Sequence, residues 1–285
     1  MTFGSTRRRE RPKRPIAALL GIALLFTVAS LTVLNGQSTA NVPVTGLTVS
    51  QRRIADGLVS EFEQGSLAPD YCDVEVLGDG RGYTVGRAGF TSADGDLLEF
   101  VQEYTAVAPG NPMARLLPQL GRAARAESAS TAGLAALPAA WRATCNRPLD
   151  RAIQNRIVDE LYFDPALRLW HQLGLRTPLS LAALYDAMIQ QGDGADPDGV
   201  PALVRSATAR AGGTPAAGIS EARFLEALLA ARRADLAHAS QPSTRAVWAQ
   251  SVDRVSAFSY LLHTGQWQLA APVNVRTANY QLRLG

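Results

Sequence analysis

The apolar residues between positions 50 and 64 recur at the 3.6-residue spacing of an amphipathic helix, at Ile54, Ala55, Leu58, Val59 and Phe62. Ser50 is a suitable N-cap residue, and Gly65 is a natural C-terminal stop. We therefore predict a helix over residues 50–64 that carries Glu63 in its last turn.

The next apolar residues follow the period of two that is typical of a strand, since apolar and acidic side chains alternate over residues 72–76. Residues 83–85 form a second β-prone run. Between the two runs, three glycines within five residues permit a tight turn with positive φ. The pattern predicts a β-hairpin whose tip presents Asp79 and Arg81. Glu63 at the helix end and Asp79 at the hairpin tip could then face each other across a cleft.

The rest of the chain carries mainly helical patterns. A helix with Leu97 and Val101 on its apolar face begins at Asp94 or Asp96, and either residue can cap it. An amphipathic pattern over residues 148–172 is interrupted at Asp164-Pro165, and residues 180–191 are apolar enough to form a central helix. These patterns indicate an α+β fold that is mainly α.

One acidic residue, Asp186, interrupts the apolar helix predicted over residues 180–191. An unpaired buried charge is very costly, so Asp186 must have a partner. Arg232, on the helix predicted over residues 221–236, and Arg245 are the expected partners. A purely structural ion pair and a support for a catalytic acid are both consistent with this pattern.

Charge is distributed unevenly along the chain. The net charge is +3, but residues 1–14 hold six basic side chains and one acid, which leaves 22 basic and 24 acidic residues beyond them. A nucleic-acid-binding protein needs a concentrated basic face, and the remaining net charge of −2 argues against one. We therefore expect no nucleic-acid partner.

Residues 16–34 form an apolar stretch without a charge, directly after the basic segment. Its length lies between a signal peptide and a membrane-spanning helix, and Ser38-Thr39-Ala40 offers a cleavage site. We predict an N-terminal segment over residues 1–40 and an exported catalytic domain over residues 41–285. That domain is either secreted or, if the segment stays uncleaved, tethered to the outer face of the cytoplasmic membrane.

Cysteine and histidine residues are few. In an exported protein Cys72 and Cys145 can form a disulfide, although two buried thiols are an equally good interpretation. The three histidines, His171, His238 and His263, lack the spacing of a metal site or a catalytic triad. We therefore expect no metal and no cofactor.

Three motifs in order along the chain are GDGRGYT at 78–84, GD at 95–96 and YFDPA at 162–166. This arrangement resembles the signature of the chitosanases of glycoside hydrolase family 46, and the resemblance continues to about Arg245. It implies a lysozyme-like, two-lobed fold with a small β-sheet in the minor lobe. It also implies inverting hydrolysis of β-1,4-linked glucosamine polymers. Pro69 and Val275 stand where the family usually has tryptophan, so the resemblance leaves substrate length open.

The resemblance also implies roles for individual residues. The catalytic set is Glu63 as general acid, Asp79 as general base and Thr84, which helps to hold the attacking water. The substrate-binding set is Arg81, Asp96 and Tyr162. The ion network that supports the acid is Asp186, Arg232 and Arg245.

Elementary chemistry agrees with separate acid and base roles. Glu63 shares a helical face with Val59, and partial desolvation there favours the protonated carboxyl that a general acid requires. Asp79 lies in a solvated turn beside Arg81, which favours its ionised form. The rival acid Glu61 points away from that face by about 200° of helical rotation.

We therefore expect an exported, monomeric endo-glycosidase that acts on chitosan or a related glucosamine polymer. A lysozyme-like peptidoglycan hydrolase is the first alternative. A non-catalytic glycan-binding envelope protein that has kept the fold is the second.

Overall fold

The computed structural model describes residues 46–78, 80–240 and 242–285. The predicted N-terminal segment and Asp79 therefore lie outside the described residues. Within them, the helices are α1 Val49–Gln64, α2 Asp96–Val107, α3 Leu117–Arg125, α4 Leu137–Arg142, α5 Pro148–Val158, α6 Asp164–Leu173, α7 Pro178–Gln191, α8 Val200–Ala211, α9 Glu221–Ala237, α10 Pro242–Gln250 and α11 Val252–His263. The strands are β1 Val74–Val76, β2 Tyr83–Val85, β3 Phe90–Thr91, β4 Val273–Arg276 and β5 Gln281–Leu284.

Helix α1 ends as predicted but begins earlier. Thr48, not Ser50, is the N-cap: its hydroxyl accepts from the backbone N–H of Gln51, and the Gln51 side chain accepts from the Thr48 N–H. This reciprocal pair forms a capping box, which a single hydroxyl at Ser50 does not offer. Gly65 closes the helix in the left-handed conformation.

The predicted hairpin is present. β1 and β2 pair antiparallel with Glu75 opposite Thr84, and β3 adds to the other edge of β2. The glycines are required at this tip: Gly82 has a φ of +77°, and a Cβ there would lie 2.3 Å from the Ser92 hydroxyl oxygen. A second antiparallel pair, β4 and β5, lies near the C-terminus.

Helix α7 forms the centre of the core, since all its residues from Pro178 to Gln191 are buried. It begins two residues before the predicted start because Thr177 caps it through the Ser180 N–H. The predicted break at Asp164-Pro165 is a π-helical turn over Asp159–Phe163, after which α6 begins with Pro165 in its first turn.

Two further findings bear on the predicted export of this domain. Cys72 and Cys145 form a disulfide, which decides between the two interpretations of these residues. It ties the segment before β1 to the chain between α4 and α5. No helix in the part of the chain that the structure describes is long and apolar enough to cross a bilayer. The apolar stretch over 16–34 lies outside that part.

Candidate active site

A cleft of about 700 Å³, including its open mouth, lies between α1, the hairpin and α7. It brings together four of the residues that the sequence singled out. The residues lining it are Val59, Ser60, Glu63, Gln64, Asp73, Arg81, Thr84, Gly86, Arg87, Ala88, Gly89, Val158, Tyr162, Tyr185 and Ile189.

Glu63 enters this cleft from the last turn of α1, with 17% of its side chain exposed. The apolar face of α1 packs into the core, which directs the neighbouring carboxyl to the cleft wall. Its Oε1 lies 2.8 Å from Nη1 of Arg254 on α11, so the two side chains form an ion pair. Glu61, the rival acid, is not among the residues that line the cleft.

Arg254 also forms an ion pair with Asp186, in the middle of α7. Its Nη2 lies 2.7 Å from Asp186 Oδ1, and its Nε donates to Asp186 Oδ2. Arg232 donates to the same Oδ2 at 2.9 Å. Burial alone would lower the pKa of Arg254, but the carboxylates of Asp186 and Glu63 hold it above its ordinary value. Burial lowers the pKa of Arg232, and Asp186 only partly offsets this.

The prediction that Arg245 pairs with Asp186 is wrong. The Arg245 guanidinium donates to the backbone carbonyls of Ala239 and Ser240, and the residue is exposed on α10. Arg254 pairs with Asp186 instead. It lies beside Val255 and Phe258 on the face of α11 that packs against α7. The predicted pairing of Asp186 with Arg232 is present.

Thr84 lies on β2 with its side chain buried at the cleft wall. Its hydroxyl oxygen has no hydrogen-bond partner among the described residues. A buried hydroxyl generally has a partner, so this oxygen is suited to a water or ligand in the cleft.

The three expected substrate-binding residues differ in position. Arg81 and Tyr162 line the cleft. Burial raises the pKa of Tyr162 above its usual range, and the negative charges of Asp96 and Glu63 add to this shift. Asp96 is near these groups but is not among the residues that line the cleft.

Asp96 is the first residue of α2, and Gly95 rather than Asp94 or Asp96 is the N-cap. The Asp96 Oδ1 accepts from the backbone N–H groups of Thr91 at 2.7 Å and Leu97 at 2.8 Å. Burial raises its pKa to about 7, although these hydrogen bonds favour the ionised form.

Sequence reasoning missed Asp73, Arg87 and Tyr185, which also line the cleft. Arg254 was detectable, because it interrupts an apolar helical face as Asp186 does. Within the described ranges, no group of three or more His, Cys, Asp or Glu side chains is placed to hold a metal ion.

Comparisons with known proteins agree on one family. The model of glycosyl hydrolase family 46 matches residues 57–273. A chitosanase from Bacillus subtilis is 38% identical over 268 residues, which is 94% of each chain.

Solved structures give the same result. A chitosanase from Gynuella sunshinyii in complex with chitotetraose has a TM-score of 0.77 and 41% identity, and the match covers 84% of this chain and 99% of that one. A mutant chitosanase from Bacillus subtilis complexed with 6 GlcN has a TM-score of 0.77 and 40% identity, covering 84% of this chain and 100% of the other. These likenesses confirm the predicted mainly helical, lysozyme-like fold. The chain belongs to glycosyl hydrolase family 46.

Proposed function

We propose that this chain hydrolyses β-1,4 bonds between glucosamine residues within chitosan, with inversion at the anomeric carbon. The observation that carries the proposal is a Glu63 carboxyl that enters a cleft bordered by the GDGRGYT hairpin. Chitosanases at about 40% identity, two of them solved with glucosamine oligomers, support the substrate class.

Glu63 is the general acid in this proposal. It gives a proton to the leaving glycosidic oxygen, and its carboxylate then remains beside Arg254. Because Arg254 also pairs with Asp186, one guanidinium is shared between two carboxyls. This sharing keeps the Glu63 carboxyl in a fixed orientation at the cleft wall.

Asp79 is the general base, and it activates a water on the opposite face of the sugar. In an inverting enzyme the two carboxyls are about 6.5–9.5 Å apart, which leaves room for that water. The unpartnered Thr84 hydroxyl is suited to hold the same water, because Thr84 faces the cleft from the hairpin that carries Asp79.

The remaining polar residues bind the sugar chain. Arg81 and Tyr162 offer donors to its hydroxyl groups from the cleft wall. Asp96 and Asp73 are carboxylates at or near the cleft, and a protonated sugar amine is a natural partner for either. We also propose that the domain is exported and monomeric, with the segment over 16–34 acting as a signal peptide or a membrane anchor.

The test is release of reducing ends from chitosans of graded acetylation and, in parallel, from cell-wall peptidoglycan. We expect activity that rises with deacetylation and little release from peptidoglycan. Glu63→Gln should lower kcat by about 10²–10⁴-fold, because that is the usual contribution of a general acid.

The matched control is Glu61→Gln, the same change two residues away on α1, which should keep kcat within about twofold of wild type. Preferential cleavage of peptidoglycan would support the lysozyme-like alternative. Full activity in Glu63→Gln would remove the proposed acid, and no activity on either polymer would favour a glycan-binding protein.

A further inference from the structure

The turn over residues 86–89, between β2 and β3, forms part of the cleft wall and contacts α1 closely. The Gly86 N–H donates to the Asp73 carbonyl at 2.9 Å, and the Gln64 side chain donates to the Gly86 carbonyl. Gly86 has a φ of +74°, and a Cβ there would lie 2.6 Å from the Gln154 side-chain oxygen. Gly86 therefore packs too closely against its neighbours to be replaced by a residue with a side chain.

Arg87, the next residue of this turn, has only 5% of its side chain exposed. Its Nη2 donates to Asp56 Oδ1 at 3.0 Å, and its Nη1 donates to the Asn155 side chain. Its backbone N–H donates to Gln154 Oε1 at 3.0 Å. One side chain thus joins the hairpin sheet to both α1 and α5.

Asp56 precedes Glu63 by two turns of α1, so the two carboxyls lie on nearly the same helical face. Its Oδ1 also accepts from the Tyr185 hydroxyl at 3.1 Å, and its Oδ2 accepts from Arg52 Nε at 3.0 Å. Both Asp56 oxygens therefore have hydrogen-bond donors, and Tyr185 ties the pair to α7.

These contacts join the two structures that carry the proposed acid and base. Glu63 is on α1, and Thr84 lies on β2 three residues before Arg87. A displacement of about 1 Å between reacting groups can lower the rate about 100-fold. The contacts that hold the hairpin against α1 therefore control the distance between the acid and the base, on which an inverting reaction depends.

We propose that the Asp56–Arg87 ion pair is a positioning element that fixes the hairpin against α1 and so sets the separation of the acid and the base. This inference rests on the proposed function. Neither residue touches the reacting atoms in this account. Replacing both partners of a buried ion pair often leaves stability unchanged or improves it, so fold stability alone gives no reason for this pair.

The experiment compares three variants with wild type for thermal unfolding and for kcat and KM on chitosan. Asp56→Asn leaves the buried Arg87 guanidinium without its carboxylate, and Arg87→Met leaves Asp56 with Arg52 as its one remaining charged partner, so both should lower Tm. The double variant Asp56→Asn with Arg87→Met removes both charges and should regain most of that Tm. Its kcat should nevertheless stay at least about tenfold below wild type, with KM within about twofold.

Arg87→Lys is the conservative variant. It keeps the charge but cannot reach Asp56 and Asn155 together, so it should recover kcat only partly. Glu221→Gln is the matched control: Glu221 accepts from Thr177 and Ser180 at the start of α7, away from the cleft. It should lower Tm without changing kcat.

A double variant with wild-type kcat would overturn the positioning role. A fall in kcat that tracks Tm equally in Glu221→Gln would also overturn it, because the effect would then be one of stability alone. A wild-type enzyme without activity on chitosan would instead overturn the proposed function, so the two failures are distinguishable.

Discussion

Asp186→Asn removes the one negative charge that lies between two buried guanidinium groups. Asp186 and Arg232 are fully buried, and Arg254 is nearly so. Both carboxylate oxygens accept from these two arginines. Asparagine has almost the same shape, so the substitution creates no cavity; it removes the charge and replaces one of the two acceptor oxygens by an N–H donor.

The expected loss follows from the geometry. Unit charges 4 Å apart attract by about 4 kcal/mol at an effective dielectric constant of 20. Breaking a buried ion pair on one side costs about 3–5 kcal/mol, since the remaining charge is left uncompensated. For a domain of this size, each kcal/mol lowers Tm by about 2–4 °C, so we expect a fall of roughly 10 °C.

Activity should fall as well in Asp186→Asn. Without Asp186, Arg254 keeps only one of its two carboxylate partners, so the Glu63 carboxyl is no longer held in one fixed orientation in the cleft. We expect kcat to fall at least about tenfold at temperatures well below the Tm of the variant.

The assay is thermal unfolding followed by circular dichroism, with kcat measured at 25 °C. Glu160→Gln is the control: it breaks an ion pair with Arg156 whose two side chains are about half exposed, and it should cost less than about 1 kcal/mol. If Asp186→Asn lost no more stability than this control, or kept wild-type kcat, the reasoning about the network would be refuted.

Two further predictions concern stability. Replacing Cys72 and Cys145 by serine opens a loop with a sequence separation of 73 residues, so the unfolding free energy should fall by about 4 kcal/mol. The measurement is guanidinium unfolding of the variant and of the oxidised wild type, and equal midpoints would contradict the prediction. Asp96 has a pKa raised from 3.8 to about 7, so the folded state binds its proton more tightly than the unfolded state does. Wild-type stability should therefore fall as pH rises from about 4 to 7, and Asp96→Asn should lack this part of the decline; parallel pH profiles would contradict it.

Local patterns allowed much of the fold to be predicted. The end of α1 at Gly65, the β1–β2 hairpin and the buried helix α7 each depend on neighbouring residues, whose spacing is visible in the sequence. The predicted start of α1 was wrong because Ser50 and Thr48 are both acceptable N-cap residues. Only the reciprocal bonds with Gln51 select Thr48.

Long-range pairing was harder to predict. Asp186 clearly needed a partner, but the choice between Arg245 and Arg254 depends on which helix packs against α7. No local pattern indicates the Asp56–Arg87 pair, because an aspartate on an amphipathic helix is usually solvated. Here the hairpin covers Asp56, and that contact depends on the tertiary fold.

The most direct test of the central claim is the anomeric form of the first product. Proton NMR during the initial phase of chitosan hydrolysis distinguishes the α from the β form at the new reducing end before the two interconvert. Single displacement by a water that Asp79 activates, with Glu63 as acid, predicts the α-anomer first. Initial release of the β-anomer would require a covalent intermediate and would contradict the account.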